Sequence, residues 1–359
     1  MTVQGITHFF AMKKVRFAYC LVAAAIIAVI IRMGLKTWES HGSLKDTTLK
    51  CAMAIDRKTG CMPGLTVGYN YELLQRFAAS QNDTISSITL ARPGSNYLDS
   101  LKAGSVDIVV LPFDGTFSDD SILVSRPLDS LTMWVVRCDR KDGLAEINSW
   151  LEAFEESDEF QTIHDDYFHR INPFKASAQN RKSDHISPYD DILKAYAGEI
   201  GWDWRLLAAL VYQESKFHIE ASSHRGAEGL MQMMPRTARR FEVTNSLDPE
   251  QNIKAGAEYL SRLKRKFSKE AANSTELCKF MLAAYNAGEG RVDDCINYAK
   301  SQGAESATWD GIVSVIPAMR EESILEEDTV KFGIFKGRET IAYVDSVMSL
   351  YEHYKRICP

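Results

Sequence analysis

Residues 209–238 read ALVYQESKFHIEASSHRGAEGLMQMMPRTA. An apolar helical run ends on a carboxylate, Glu214; a glycine-punctuated turn follows, and then a second helix entry at Pro235. Leu207, Leu210 and Glu214 are spaced three and four apart, so they share one helix face. A carboxylate that continues a hydrophobic stripe is partly withdrawn from water. Burial disfavours its charged form, and the negative end of the helix dipole acts in the same sense. Both raise the pKa towards the range of a proton donor near neutral pH. Asp203 is placed to cap this helix. Read without the motifs below, Glu214 is also compatible with a solvated helix end.

Further motifs follow in order. Glu214-Ser215-x-Phe217 leads to Ser223 and Gly226-Ala227-x-Gly229-Leu230-Met231-Gln232. Downstream lie Ala284-Tyr285-Asn286-Ala287-Gly288 and Glu339-Thr340-x-x-Tyr343-Val344. This series resembles family 1 (SLT-type) lytic transglycosylases, from about Ile186 to the C-terminus. The resemblance implies an all-α, lysozyme-like fold with Glu214 as the catalytic acid. It also implies that Ser223, Met231, Gln232, Tyr285, Asn286, Glu339 and Tyr343 meet the substrate. Taken alone, the two glycines read equally as a structural turn. Taken alone, Met231 reads more readily as a core residue, and Trp309 as a core tryptophan rather than one that stacks on sugar.

Glycosidases usually set two carboxylates about the scissile bond, and no second acid stands at an obvious partner position here. Glu220 and Glu228 fall in the loop and read as surface groups. One acid suffices when the nucleophile belongs to the substrate. In peptidoglycan the C6 hydroxyl of N-acetylmuramic acid attacks its own C1, and a well-oriented intramolecular attack removes up to about 7–11 kcal/mol of the barrier. This chemistry calls for no cofactor and no metal.

The 359 residues suffice for two ordinary domains and an anchor. A net charge of −6 and a pI near 5.8 leave no footprint for nucleic acid. Residues 15–31 are apolar or small apart from Arg16, behind a basic flank of Lys13, Lys14 and Arg16. An uncleaved anchor with its basic side cytoplasmic is the preferred reading. A cleaved signal is the alternative, although Ile30-Ile31-Arg32-Met33 is a poor cleavage site. Of seven cysteines, the six beyond Cys20 permit up to three disulfides, with Cys278–Cys295 the first choice. Buried thiols are the competing reading.

Between anchor and catalytic domain, strands are expected over 48–55, 85–90, 106–111 and 131–137. Helices are expected around 71–78, 96–103, 144–154 and 160–168. The leading βαβαβ order implies parallel strands. Gly68-Tyr69-Asn70-Tyr71-Glu72-Leu73-Leu74 and Leu101-Lys102-Ala103-Gly104-Ser105-Val106-Asp107-Ile108 resemble family 3 extracellular solute-binding proteins. Those have two lobes; here residues 125–137 run straight into the return strand, so a single lobe is expected. Asp119 stands where that family commonly carries a carboxylate-binding arginine, which argues against amino-acid capture.

The sequence thus implies a multidomain chain: an anchor over 12–35, an α/β solute-binding-like lobe over 46–171, a polar linker over 172–185, and a lysozyme-like domain over 186–359. The expected function is cleavage of the β-1,4 bond between N-acetylmuramic acid and N-acetylglucosamine, leaving a 1,6-anhydro end. A hydrolytic muramidase and an inactive peptidoglycan-binding or sensory protein are the alternatives. The expected partners are glycan strands, the membrane through the N-terminal segment, and envelope proteins. The expected location is the periplasmic side of the cell envelope.

Overall fold

The computed structural model describes residues 42–45, 47–54, 63–91, 96–112, 119–128, 132–169, 182–303 and 308–359. The apolar segment 12–35, Cys61, residues 116–118 and most of the 172–185 linker lie outside these. Among the described residues, no helix is long and apolar enough to cross a membrane.

Contacts divide the chain into two units: one holds residues up to Ala54 and Leu74–Glu156, the other Ile55–Leu73 and Ser157–Pro359. The first is a mixed α/β unit. Its elements are β1 (Thr48–Ala54), the end of α1 (Pro63–Ser80), β2 (Thr84–Ala91), α2 (Tyr97–Lys102), β3 (Ile108–Pro112), β4 (Ile122–Val124), β5 (Thr132–Arg137) and α3 (Lys141–Glu155). The sheet order is β2-β1-β3-β5-β4. As the βαβαβ pattern predicts, β1 runs parallel to both β2 and β3. The return strand β5 is antiparallel to β3, pairing Val110 with Trp134. Strand β4 escaped the sequence reading because three residues are too few to show a period of two.

Burial follows position in the sheet. Strands β3 and β5 are central and almost wholly buried, whereas β2, rich in Ser and Thr, is a solvated edge. Val109, Leu111, Met133 and Val135 pack with Leu101 of α2 on one face. The alternate residue Trp134 meets Phe77 of α1 edge-on at 5.4 Å, and Trp150 of α3 meets the same phenyl ring at 5.5 Å.

The second unit is helical: α4 (Asp158–His164), α5 (Asp190–Ile200), α6 (Trp204–Ser215), α7 (Pro235–Arg240), α8 (Pro249–Phe267), α9 (Ser274–Ala287), α10 (Glu289–Ser301), α11 (Trp309–Val315) and α12 (Arg338–Ile357). Helix α6 packs between α5 and α12, and α9 packs on α8, α10 and α12. The start of α1 belongs to this unit, where fully buried Tyr69 meets Tyr167 and Phe168 at 5.9 and 4.9 Å.

The disulfide expectation fails. Cys278 and Cys295 are both free, as are Cys51, Cys138 and Cys358. Cys278 lies beside Lys264 of α8, while Cys295 is buried on the face of α10 that carries Val292, Ile296 and Ala299. The two thiols serve different contacts.

Candidate active site

Helix α6 begins at Asp203, whose carboxylate accepts from the Arg205 backbone N–H at 3.0 Å, as the sequence leads one to expect. Leu206 to Val211 are all buried, so the helix is embedded and its C-terminal turn is fixed. There Glu214 emerges, followed by two successive residues with positive φ, Lys216 (57°) and Phe217 (65°). Neither is glycine, so each costs roughly 1–3 kcal/mol. Phe217 is buried against Tyr212, with ring centres 5.7 Å apart, and that packing offsets part of the cost. The result is a sharp reversal immediately after the glutamate.

Burial pushes the Glu214 carboxyl up to about 7, against the lowering effects of a hydrogen bond from Tyr343 and the charge of Lys216. The Tyr343 O–H donates to Glu214 Oε1. Glu214 also lies close enough to Tyr285 to help hold that hydroxyl above its ordinary pKa.

The loop after α6 is a small bridged platform. Ser222 and Glu228 pair, Glu228 and Met233 pair, and the Ser223 and Ala227 backbones bond. Fully buried Asn252 of α8 pins it: its Oδ1 accepts from Met231 N at 2.7 Å, and its Nδ2 donates to the carbonyls of Glu228 and Ser246. Gly229 sits at φ 78°, and a Cβ there would fall 2.2 Å from Asn252 Nδ2. No other residue fits that position.

Each residue singled out from sequence has a definite place. Tyr285 donates to the Met231 carbonyl at 2.7 Å, tying α9 to the platform. Asn286 is exposed at the end of α9, and its Oδ1 accepts from buried Thr340 at 2.9 Å. Gln232, at φ 47°, spends its amide on the carbonyls of Ala221 and Gly229. Ser223 is exposed, with its Oγ accepting from Ala227 N at 3.0 Å. Glu339 is exposed in the first turn of α12. Met231 is fully buried, and Gly256 of α8 leaves room for its side chain; only its backbone is available to the site.

Helices α6, α9 and α12 and the platform therefore bring together Glu214, Tyr343, Tyr285, Asn286 and the Met231–Gln232 backbone. Thr340 and Asn252 were not singled out from sequence, although each occupies a polar position on an apolar stripe. Thr340 lies in line with Tyr343, Val344 and Val347, and Asn252 in line with Gly256, Leu260 and Leu263.

The surface assignment of Glu220 is corrected. Its side chain is only 11% exposed, 3.9 Å from His218 Nδ1, and burial raises its carboxyl to about 7. Its charge acts on Tyr189.

Residues 191–307 match the family model of the transglycosylase SLT domain. Among curated proteins, the chain is similar to membrane-bound lytic murein transglycosylase F. The Desulfosudis oleivorans protein is 31% identical over 227 residues, covering 62% of this chain and 49% of the relative. The Photobacterium profundum protein is 30% identical over 278 residues, covering 76% and 53%. The chain spans about half the length of these relatives. Among solved structures, the 70 kDa soluble lytic transglycosylase of Escherichia coli is 26% identical over 46% of this chain and 24% of its own, with a TM-score of 0.30.

Proposed function

We propose that the helical unit is a peptidoglycan lytic transglycosylase cleaving the β-1,4 bond between N-acetylmuramic acid and N-acetylglucosamine. One observation carries this reading: the half-buried Glu214 carboxyl at the end of α6, hydrogen-bonded by Tyr343 and pushed up to about 7 by burial. The match of residues 191–307 to the SLT domain and the names of the relatives support it.

With Oε1 taken by Tyr343, Oε2 of Glu214 carries the proton. It donates to the glycosidic oxygen as the C1–O bond breaks. The resulting carboxylate then takes the proton of the muramic acid C6 hydroxyl, and that oxygen closes on C1 to form the 1,6-anhydro ring. Tyr343 stabilises the carboxylate between the two transfers. Tyr285, Asn286, Gln232 and Ser223 hold the N-acetyl sugars, with Met231 contributing its backbone and Glu339 the rim.

The remaining assignments belong to the same proposal. The segment 12–35 anchors the chain, and the lobe over 46–171 and the domain over 186–359 lie on the periplasmic side of the envelope. The relatives' name, membrane-bound lytic murein transglycosylase F, supports this. The lobe regulates or positions the catalytic domain, or docks an envelope partner or a peptidoglycan stem peptide, and does not capture amino acids. Asp119 supports the last point. Its charge is committed to Lys102 at 2.6 Å and to Ser121, which hold its carboxyl well below the ordinary range.

Mass analysis of fragments released from purified peptidoglycan tests the reaction. Ends of 1,6-anhydro-muramic acid that resist borohydride are expected. Predominantly reducing ends would make the protein a muramidase, and no release would make it a binding protein.

A further inference from the structure

The platform that follows α6 stands on a second turn, residues 245–248, just ahead of α8. Ser246 in that turn meets the platform directly. Its hydroxyl donates to Glu228 Oε2 at 2.8 Å, and its carbonyl accepts from Asn252 Nδ2 at 3.2 Å. The same carbonyl oxygen lies where a side chain on Gly229 would have to go, 2.4 Å from an added Cβ. The turn is closed by the Asp248 N–H on the Asn245 carbonyl at 3.2 Å. Each end side chain also caps nearby backbone. Asn245 Oδ1 accepts from Leu247 N at 3.1 Å, and Asp248 Oδ1 accepts from Gln251 N at 2.9 Å. The other polar atoms of both side chains meet one hydroxyl. The Tyr71 O–H donates to Asp248 Oδ2 at 3.1 Å and accepts from Asn245 Nδ2 at 3.2 Å. A single phenol therefore ties the two ends of the turn together, from a position 177 residues away from Asp248 in sequence.

Tyr71 is itself closely held. It is buried, and it sits in the first half of α1, the part that belongs to the helical unit. Two residues before it, Tyr69 is fully buried. At Gly68 a Cβ would fall 2.6 Å from the Tyr189 hydroxyl, so the helix comes nearer to Tyr189 than a side chain would permit. Glu72 accepts from the Tyr167 hydroxyl at 3.2 Å. A helix seated at Gly68, Tyr69 and Glu72 leaves the intervening Tyr71 ring little freedom in a close-packed interior.

From the turn, hydrogen bonds run without a break to the neighbours of Glu214. The Ser246 carbonyl fixes Asn252, and Asn252 Oδ1 accepts from Met231 N at 2.7 Å. The Met231 carbonyl accepts from the Tyr285 hydroxyl at 2.7 Å, and Tyr285 neighbours Glu214. We infer that Tyr71 is a positioning residue of the catalytic site: through Asn245, Asp248 and Ser246 it sets the placement of the platform that holds the sugars beside Glu214. The site is then not complete within residues 191–307, which match the SLT domain, and takes one of its supports from α1. The assignment rests on the transglycosylase reading for the reaction it serves.

The test is Tyr71→Phe in the full chain, with cleavage of soluble glycan strands measured well below the melting temperature of either protein. The ring stays and only the hydroxyl goes, so the seat of α1 is kept. The value of kcat/KM should fall about tenfold, because small displacements of a substrate-holding surface are costly in rate. The alkaline limb of the pH–rate profile should not move, since burial and Tyr343 set the Glu214 carboxyl and neither changes. Tyr196→Phe is the matched control. Its phenol also donates to a carboxylate in the first turn of α8, Glu250 at 3.1 Å, but Glu250 lies outside the 245–248 turn. This control should keep its activity within about twofold. Asn245→Ala removes the other partner of the hydroxyl and should lower kcat/KM comparably. Adding Tyr71→Phe to it should cost little more, because both act through one turn. Unchanged activity in Tyr71→Phe, a limb that shifts with the loss, additive losses, or an equal loss in Tyr196→Phe would each overturn the role. Titration of a glycan oligomer into the chain carrying Glu214→Gln separates positioning from reaction. Weaker binding on adding Tyr71→Phe, with no cleavage by the unsubstituted chain, would retain Tyr71 as the support of a binding groove and remove the transglycosylase reading. Anhydro products formed at a rate indifferent to Tyr71→Phe would do the reverse.

Discussion

The phenolic O–H of Tyr343 donates to Oε1 of Glu214 across 129 residues of sequence. It links the end of α6 to the first turns of α12 and divides the carboxyl group into an oxygen that accepts and an oxygen that can carry a proton. Burial sets the pKa, and the tyrosine trims it.

Glu214→Gln should abolish muropeptide release while leaving the helical unit folded. The amide keeps the shape and can accept from Tyr343, but it has no proton to transfer to the glycosidic oxygen. A sacculus assay with far-ultraviolet circular dichroism checks both parts. Turnover within about tenfold of the unsubstituted protein would remove Glu214 from the acid role.

The pH dependence follows from the same carboxyl. Its ordinary value is 4.5, and in the fold it stands at about 7. The acid must be protonated to act, so kcat/KM should fall as pH rises through 7. Stability has the same sign. The folded state holds this proton more tightly than the unfolded chain, so the contribution is complete below 4.5 and lost as pH rises to about 7. The Gln variant lacks that loss. Its melting temperature relative to the parent should therefore rise between pH 5 and pH 8, by roughly a few degrees. A constant difference across that range would place the Glu214 pKa elsewhere.

Tyr343→Phe removes a hydrogen bond that favours the charged carboxylate. The alkaline limb of the pH–rate profile should then move upwards, by up to about one unit. The maximal rate should drop, because the carboxylate formed between the two proton transfers loses its donor. A limb that stays in place would mean the phenol only packs.

Gly229 and Gly226 make a matched pair. Both have positive φ, but a Cβ at Gly229 meets Asn252 Nδ2 at 2.2 Å and the Ser246 carbonyl at 2.4 Å, whereas at Gly226 the nearest atom is 3.9 Å away. Gly226→Ala should cost about 1–2 kcal/mol from backbone strain alone. Gly229→Ala should cost more and lower activity by displacing the platform. Thermal melts of the two variants compare them, and equal losses would show that the Asn252 pin does not matter.

The α/β unit gives a negative prediction. Calorimetric titration of the full chain with the common amino acids should show no saturable heat, because Asp119, held by Lys102 and Ser121, offers a ligand carboxylate no cation. Micromolar binding of any of them would restore the unit as a solute receptor.

Much of this protein was legible in one dimension. The parallel β1, β2 and β3 follow from βαβ alternation, the helical unit from apolar spacing of three and four, and the candidate acid from its place at the end of an apolar stripe capped by Asp203. These are local patterns, and local geometry fixes periodicity and capping. Pairing across the chain is not local. The free Cys278 and Cys295, the burial of Glu220, the inward turn of Met231 and the bond of Thr340 to Asn286 depend on which helix faces which. So does the gathering of four arginines into one cavity of an acidic chain, from α7, α8 and α10. Sequence determined that a carboxyl would end an apolar helix. Only the packing of α6, α9 and α12 decided how dry that carboxyl is and which hydroxyl meets it, because desolvation and hydrogen bonding are properties of neighbours in space.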